Sequence, residues 1–198
     1  MSSEEEKQTA SEGVALLEER LQYSFQSKEL LLYALTHRSA TNKEKRNDYE
    51  RLEFLGDAVL DLVVADLLLQ AHPEAREGEL SKMRAALVNT TSLAEIAREL
   101  ELNKFILVSR AERAQAGHER PSILADVMES LIGAIYREAG FEKARTVASA
   151  LFGRKIINVD PTDPKTELQE ALHTLSLDPP EYLLDYVEGP EHAPTFIS

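Results

Sequence analysis

The 198-residue chain has no cysteine. That absence excludes a disulfide framework, thiolate zinc sites and thiol nucleophiles together. It also lacks any apolar run near the roughly 18–20 residues that a membrane span requires. Met1 to Lys7 is polar and acidic, without the apolar stretch of a secretory leader. A cytoplasmic location with no membrane association is the expectation. Basic residues are scarce: 22 Lys and Arg stand against 35 Asp and Glu, a net charge of −13. Such a deficit argues against a polyanionic partner, which ordinarily meets a basic patch. Its distribution weakens the objection. Residues 1–12 carry Glu4, Glu5, Glu6 and Glu12 against Lys7, and residues 161–198 carry eight acids against Lys165 alone. Residues 13–160 are left with only −3.

What the chain does have is material for a core. Hydrophobic residues make up 43%, which rules out global disorder. The length suits one ordinary domain plus a fragment, or two small domains. Residues 1–12 read as a disordered, solvated tail. From Val14 the apolar spacing is helical, first at Val14, Leu17 and Leu21, then at Leu30, Leu31, Ala34 and Leu35. Asn42 to Asp48 is a charged loop, and Tyr49 to Ala71 is the longest periodic segment, ended by Pro73. Gly78 to Val88 reads as another helix. Ser92 and Glu95 have capping-box spacing and open a helix to about Leu100. Phe105 to Val108 fits either an extended segment or a helix end, and Ala111 to Arg120 reads as a polar loop. Pro121 suits the first turn of a helix through Glu138 that Gly140 closes, and a last helix spans Phe141 to about Lys155. No strand pattern competes, so this region is all-α.

Composition shifts near Asn158. Two prolines within Asp160–Pro164 mark a linker over 157–163. Beyond it, Leu168, Leu172 and Leu175 mark a short helix. Tyr182, Leu184, Tyr186 and Phe196 suggest a hairpin around Glu188-Gly189-Pro190-Glu191. One helix and two strands are too few to bury a core alone, so 164–198 reads as the front half of a small α+β domain.

Two pairs of acids sit in apolar helical sequence. Glu53 and Asp57 are four apart, with Glu50 a turn earlier; Asp126 and Glu129 are three apart. Each pair falls on one helix face. Buried carboxylates are costly unless paired or bound to metal. Two helices with these faces opposed would gather four acids, whose charge two divalent hard cations would offset. Such a site suits phosphoryl chemistry. Spacing alone leaves a second reading open, in which both pairs are solvated faces, as Asp61 and Asp66 on the same helix can be. Gly56 is either a point of close approach or a tolerated helix glycine, and Asn89 either a helix cap or a polar contact. The five histidines are scattered and make no site, with only His37 near a helix end.

The block Tyr49-Glu50-Arg51-Leu52-Glu53-Phe54-Leu55-Gly56-Asp57-Ala58-Val59-Leu60 closely resembles the signature of the ribonuclease III family. Further blocks resemble that family in the same order: Leu35-Thr36-His37-Arg38-Ser39, Glu77 to Ser81 with Arg84 to Asn89, and Ser122 to Ala134. The resemblance covers about 20–155 and looks bacterial. Asp163 to Glu170 and Gly189 to Phe196 resemble the opening helix and first hairpin of a double-stranded RNA-binding domain. The third strand and second helix, with its phosphate-gripping lysines, are not matched.

The resemblance implies an all-α endonuclease domain of ribonuclease III-like helical fold over 13–156, plus a C-terminal α+β fragment of a double-stranded RNA-binding domain over 164–198. It implies that Glu53, Asp126 and Glu129 hold Mg²⁺, with Mn²⁺ a substitute. Asp57 completes the cluster, and Asp57 and Glu129 are the most critical. Glu50 and Glu77 are supporting acids, the first in a stretch at a homodimer interface, the second near the RNA path. The implied reaction is cleavage of both strands of double-stranded RNA to 5′-phosphate and 3′-hydroxyl ends with two-nucleotide 3′ overhangs, in the processing of rRNA and other structured precursors. Bound cations explain how an acidic protein could approach RNA. Arg38, Arg84 and His192 are candidate RNA contacts, since duplex RNA is met through phosphates and 2′-hydroxyls. If the chain is a truncation, it is expected to cut more weakly and more salt-sensitively than one carrying the whole RNA-binding domain, with the catalytic dimer intact. Two alternatives are a catalytically impaired RNA-binding protein on the same fold and an all-α nucleotide pyrophosphohydrolase. All four motif acids speak against the first, and the signature block against the second.

Overall fold

The computed structural model describes residues 13–41, 47–160, 186–188 and 195–197. The chain divides into two compact units, Met1–Val159 and Asp160–Ser198. In the first, α1 spans 13–21. It is followed by α2 (Lys28–Ala34), α3 (Glu50–Ala71), α4 (Glu77–Val88), α5 (Thr90–Glu99), α6 (Arg110–Ala114), α7 (Pro121–Ala139) and α8 (Phe141–Asn158). In the second, β1 (Tyr186–Glu188) pairs antiparallel with β2 (Thr195–Ile197), with Val187 opposite Phe196. The helix expected around Leu168–Leu177, the turn at Gly189-Pro190 and the tail 1–12 lie outside the described residues. Among the described residues no helix is long and apolar enough to cross a membrane.

Helix α7 is the axis of the first unit. It is buried on almost every side from Ile123 to Ile135, as expected of a helix apolar all round. Pro121 opens it at N1, and Gly140, at φ 80°, closes it. α3 makes the most extensive packing with α7, and α5, α8 and α2 cover its other sides. Ser130, fully buried on α7, shares its hydroxyl between the carbonyls of Ala34 (2.6 Å) and Val127 (2.9 Å). That bond ties the end of α2 to the axis. His72, just after α3, lies 2.7 Å from the Ile156 carbonyl and holds α3 to α8.

Several local expectations are revised. Asn89, not Ser92, caps α5: its Oδ1 accepts from the Ser92 N–H at 2.9 Å. With ψ at 161° it closes α4 and opens α5 at once. The polar segment expected as a loop holds α6, capped by the Ser109 hydroxyl accepting from Glu112 N–H, and a 3-10 turn at Gly117–Glu119. A helix of one turn or so leaves too short an apolar pattern to read. Phe105–Val108 is not a helix end alone. Leu107 bridges Thr36 in parallel, through Leu107 N–H to Leu35 O and His37 N–H to Leu107 O, both 2.9 Å. α8 runs to Asn158, into the span expected as linker.

Gly56 proves to be a point of close approach. A Cβ there would collide with the carbonyl oxygen of Glu129, and one at Gly133 with that of Leu52. The backbones of α3 and α7 therefore touch at a paired glycine crossing. Gly153 on α8, by contrast, has open space where a Cβ would go. Gly133→Ala is expected to destabilise the fold by about 3 kcal/mol, since two packed backbones cannot give way cheaply. In thermal circular dichroism that is a fall in Tm of roughly 6–12 °C. Gly153→Ala is expected to stabilise slightly, by about 0.5–1 kcal/mol of helix propensity. Equal melting of G133A and the parent would contradict the crossing.

Candidate metal centre

The glycine crossing aligns the acid-bearing faces of α3 and α7. Glu53 sits three residues before Gly56, and Glu129 four before Gly133, so each lies about one turn from the contact. Glu53, Asp126 and Glu129 each offer a carboxylate oxygen within 4.8 Å of the others. All three are half-buried. A cavity of about 480 Å³ opens beside them, lined by Glu53 and Asp126 together with His37, Arg38, Tyr49, Glu50 and Arg120.

The electrostatics follow from this crowding. Burial, then the charges of Asp57, Glu53 and Asp126, push the Glu129 carboxyl up to about 8. Burial, then Asp126, Glu50 and Asp57, push Glu53 up to about 7. Burial also raises Asp126, against the hydrogen bond from Tyr49 that favours its charged form. Three carboxylates that resist ionising together form a site short of positive charge. The guanidiniums of the cavity are engaged with other acids: Arg38 lies 3.5 Å from Glu50, and Arg120 pairs with Glu112. Burial, with Arg38 and Arg120 nearby, lowers His37 and so favours its neutral form. An all-oxygen donor set short of cations is what a hard divalent ion fits.

The other candidate residues are placed as follows. Asp57 is exposed and stands outside the close trio, but it exerts the largest single charge effect on Glu129. Glu50 is exposed at the cavity rim. Glu77 lies apart, in a groove between α3 and α4, where it accepts from the Ser81 hydroxyl at 3.0 Å. Arg84 lines that same groove and sits 3.8 Å from Asp61. Arg38 does reach the acidic cavity. His192 lies outside the described residues. Tyr49 and Gly133 carry no role in the sequence reading. Tyr49 is 3% exposed, and its hydroxyl donates to Asp126 Oδ2 at 3.1 Å.

Comparison with known proteins gives this geometry a context. The family model described as Ribonuclease-III-like matches residues 27–156. A Ribonuclease 3 of Campylobacter jejuni is 46% identical over 188 residues, 93% of this chain and 83% of its own length. That of Dinoroseobacter shibae is 43% identical over 94% of this chain and 82% of its own. The crystal structure of the nuclease domain of the Campylobacter jejuni ribonuclease III superposes with a TM-score of 0.68. It is 51% identical and covers 74% of this chain and 97% of that domain. A second structure of that domain, described as flexible in the region involved in dimer formation, has a TM-score of 0.67 at 53% identity, covering 70% and 95%.

The raised carboxyls predict a pH response. Without metal, native Glu53 and Glu129 hold protons that the unfolded chain has released above its ordinary 4.5. Their contribution to stability is full below about pH 4.5 and is lost as pH rises through about 7 to 8. The metal-free Tm is therefore expected to fall across that range. Glu129→Gln should flatten the fall and, at pH 8, exceed the parent by about 1–2 kcal/mol once solvent screening is allowed for. Parallel pH profiles for parent and E129Q would contradict this.

Proposed function

The chain belongs to the ribonuclease III family and is an endoribonuclease of that type; we propose that it cuts both strands of double-stranded RNA with Mg²⁺ as its natural cofactor. The observation that carries this is the trio Glu53, Asp126 and Glu129, with carboxylate oxygens within 4.8 Å of one another across the crossing. These three would hold the cation, with Mn²⁺ able to replace Mg²⁺. Bound there, the ion supplies positive charge that polarises a phosphodiester and favours attack by water. Hydrolysis at phosphorus with departure of the 3′ oxygen gives 5′-phosphate and 3′-hydroxyl ends. Glu129 gives up its proton on loading, which couples cation affinity to pH. Asp57, exposed and the largest single charge acting on Glu129, completes the acidic cluster, and Asp57 and Glu129 are the most critical acids. Glu50 at the rim and Glu77 in its separate groove are supporting acids.

Substrate contact is assigned to phosphates and 2′-hydroxyls. Arg38 in the cavity is the best-placed cation for a phosphate, with Arg84 and His192 further candidates. The functional division is a nuclease domain over 13–158, ending with α8, a linker over 159–163 and the beginning of a double-stranded RNA-binding domain over 164–198. Two copies would supply one centre per strand, and the family resemblance implies products with two-nucleotide 3′ overhangs. Phe54, 83% exposed on α3 beside Glu53, is the most exposed large hydrophobic among the described residues and is the side chain assigned to a homodimer interface. Cytoplasmic rRNA and other structured precursors are the substrates this reading implies.

The test is a labelled RNA duplex of a few tens of base pairs, with Mg²⁺ or with EDTA. Short products with two-nucleotide 3′ overhangs are expected only with Mg²⁺. Losing a group that merely supports a metal ligand costs up to about a hundredfold, so D57N and E129Q should each slow cleavage by at least that much. Cutting that survives EDTA or E129Q would overturn the reading. For the dimer, Phe54→Glu is expected to give monomers in sedimentation equilibrium while keeping helical content. A dimer unchanged in F54E would exclude Phe54 from the interface.

A further inference from the structure

Tyr49 links the two acid-bearing helices by two routes. Through its backbone it organises the start of α3. Its N–H bonds the Thr36 carbonyl at 3.0 Å, and its carbonyl accepts from the N–H groups of Leu52 and Glu53, both at 2.8 Å. Glu53 is thus fixed in the first turn. Through its side chain Tyr49 crosses to α7, where the hydroxyl donates to Asp126 Oδ2 at 3.1 Å. The ring itself has little freedom. It is buried, and the His37 ring packs against it at 5.7 Å between centroids, tilted by 49°. His37 is held in turn by its N–H to Leu107 O and by Ser39 Oγ, 2.8 Å from Nδ1.

We infer that Tyr49 is a positioning residue of the cation site, holding one oxygen of Asp126 so that the other is left for a divalent ion. The proposal rests on the reading of the acidic trio as that site. The chemistry explains why a phenol suits the position. An Arg or Lys donor would also orient the carboxylate, but it would supply positive charge and so compete with the ion. An apolar residue would add no charge but would leave Asp126 free to turn and one oxygen without its donor. A neutral hydroxyl orients the ligand and leaves its negative charge in place. Groups that orient a metal ligand in this way commonly contribute ten- to a hundredfold to affinity.

The experiment is Mn²⁺ titration of the full chain without RNA, with free Mn²⁺ read by electron paramagnetic resonance, for parent, Y49F and E129Q. Y49F keeps the ring and removes only the hydroxyl. It is expected to bind Mn²⁺ about tenfold more weakly, with a metal-free Tm within about 4 °C of the parent. Its cleavage of duplex RNA should recover at saturating Mn²⁺, so the defect appears in metal affinity and not in the maximal rate. Parent-like Mn²⁺ affinity in Y49F would overturn the proposal. So would a loss that saturating Mn²⁺ does not restore, accompanied by melting of the helices, which would make Tyr49 a core residue only. A parent that binds no Mn²⁺ at all would instead overturn the reading of the trio, and E129Q separates that case by serving as the non-binding reference.

Discussion

Contact between the backbones of α3 and α7 is the constraint on which the rest depends. Two helices with ordinary side chains at their interface keep their axes about 8–10 Å apart. Here glycines at 56 and 133 remove the side chains, and each backbone meets a carbonyl of the other helix. The close crossing brings acids about a turn away on either helix within reach of one another. It also explains why α7 is so thoroughly buried: once its glycine face is taken by α3, α2, α5 and α8 cover the rest. The core and the site are consequences of one packing decision.

That decision has a cost in charge. Half-burying three carboxylates side by side raises the proton affinity of each, most of all Glu129, which is pushed to about 8. On the proposed reading, the same crowding drives the capture of a cation, because an ion would relieve desolvation and mutual repulsion together. That reading explains how a protein carrying −13 overall could work on a polyanion. On the proposed reading, the charge that meets the substrate would arrive with the metal, and Arg38, which lines the same cavity, would add to it.

Much of this was legible in the residues because it is local. The long helices α3 and α7 follow from apolar periodicity with Pro73 and Gly140 as stops, and the facing acids follow from i, i+3 and i, i+4 spacing. What escaped depends on contacts across long stretches of chain. Tyr49 meets Asp126 across 77 positions, and nothing in its immediate neighbours announces that bond. Gly133 reads as one more small residue in an apolar helix until Leu52 is placed against it. Asn89 was ambiguous because one residue caps two successive helices, so either local reading alone was incomplete. Asp57 shares a face with Glu53 by spacing, yet it is exposed while Glu53 is half-buried, a difference set by what packs around each and not by spacing.

Everything proposed for this site depends on a divalent ion sitting at the crossing. The most direct measurement is anomalous diffraction at the manganese edge from crystals grown or soaked with Mn²⁺. The account predicts an anomalous peak bounded by carboxylate oxygens of Glu53, Asp126 and Glu129 and absent from E129Q. Manganese bound only at surface acids, with the trio empty at a pH where Glu129 is ionised, would contradict it.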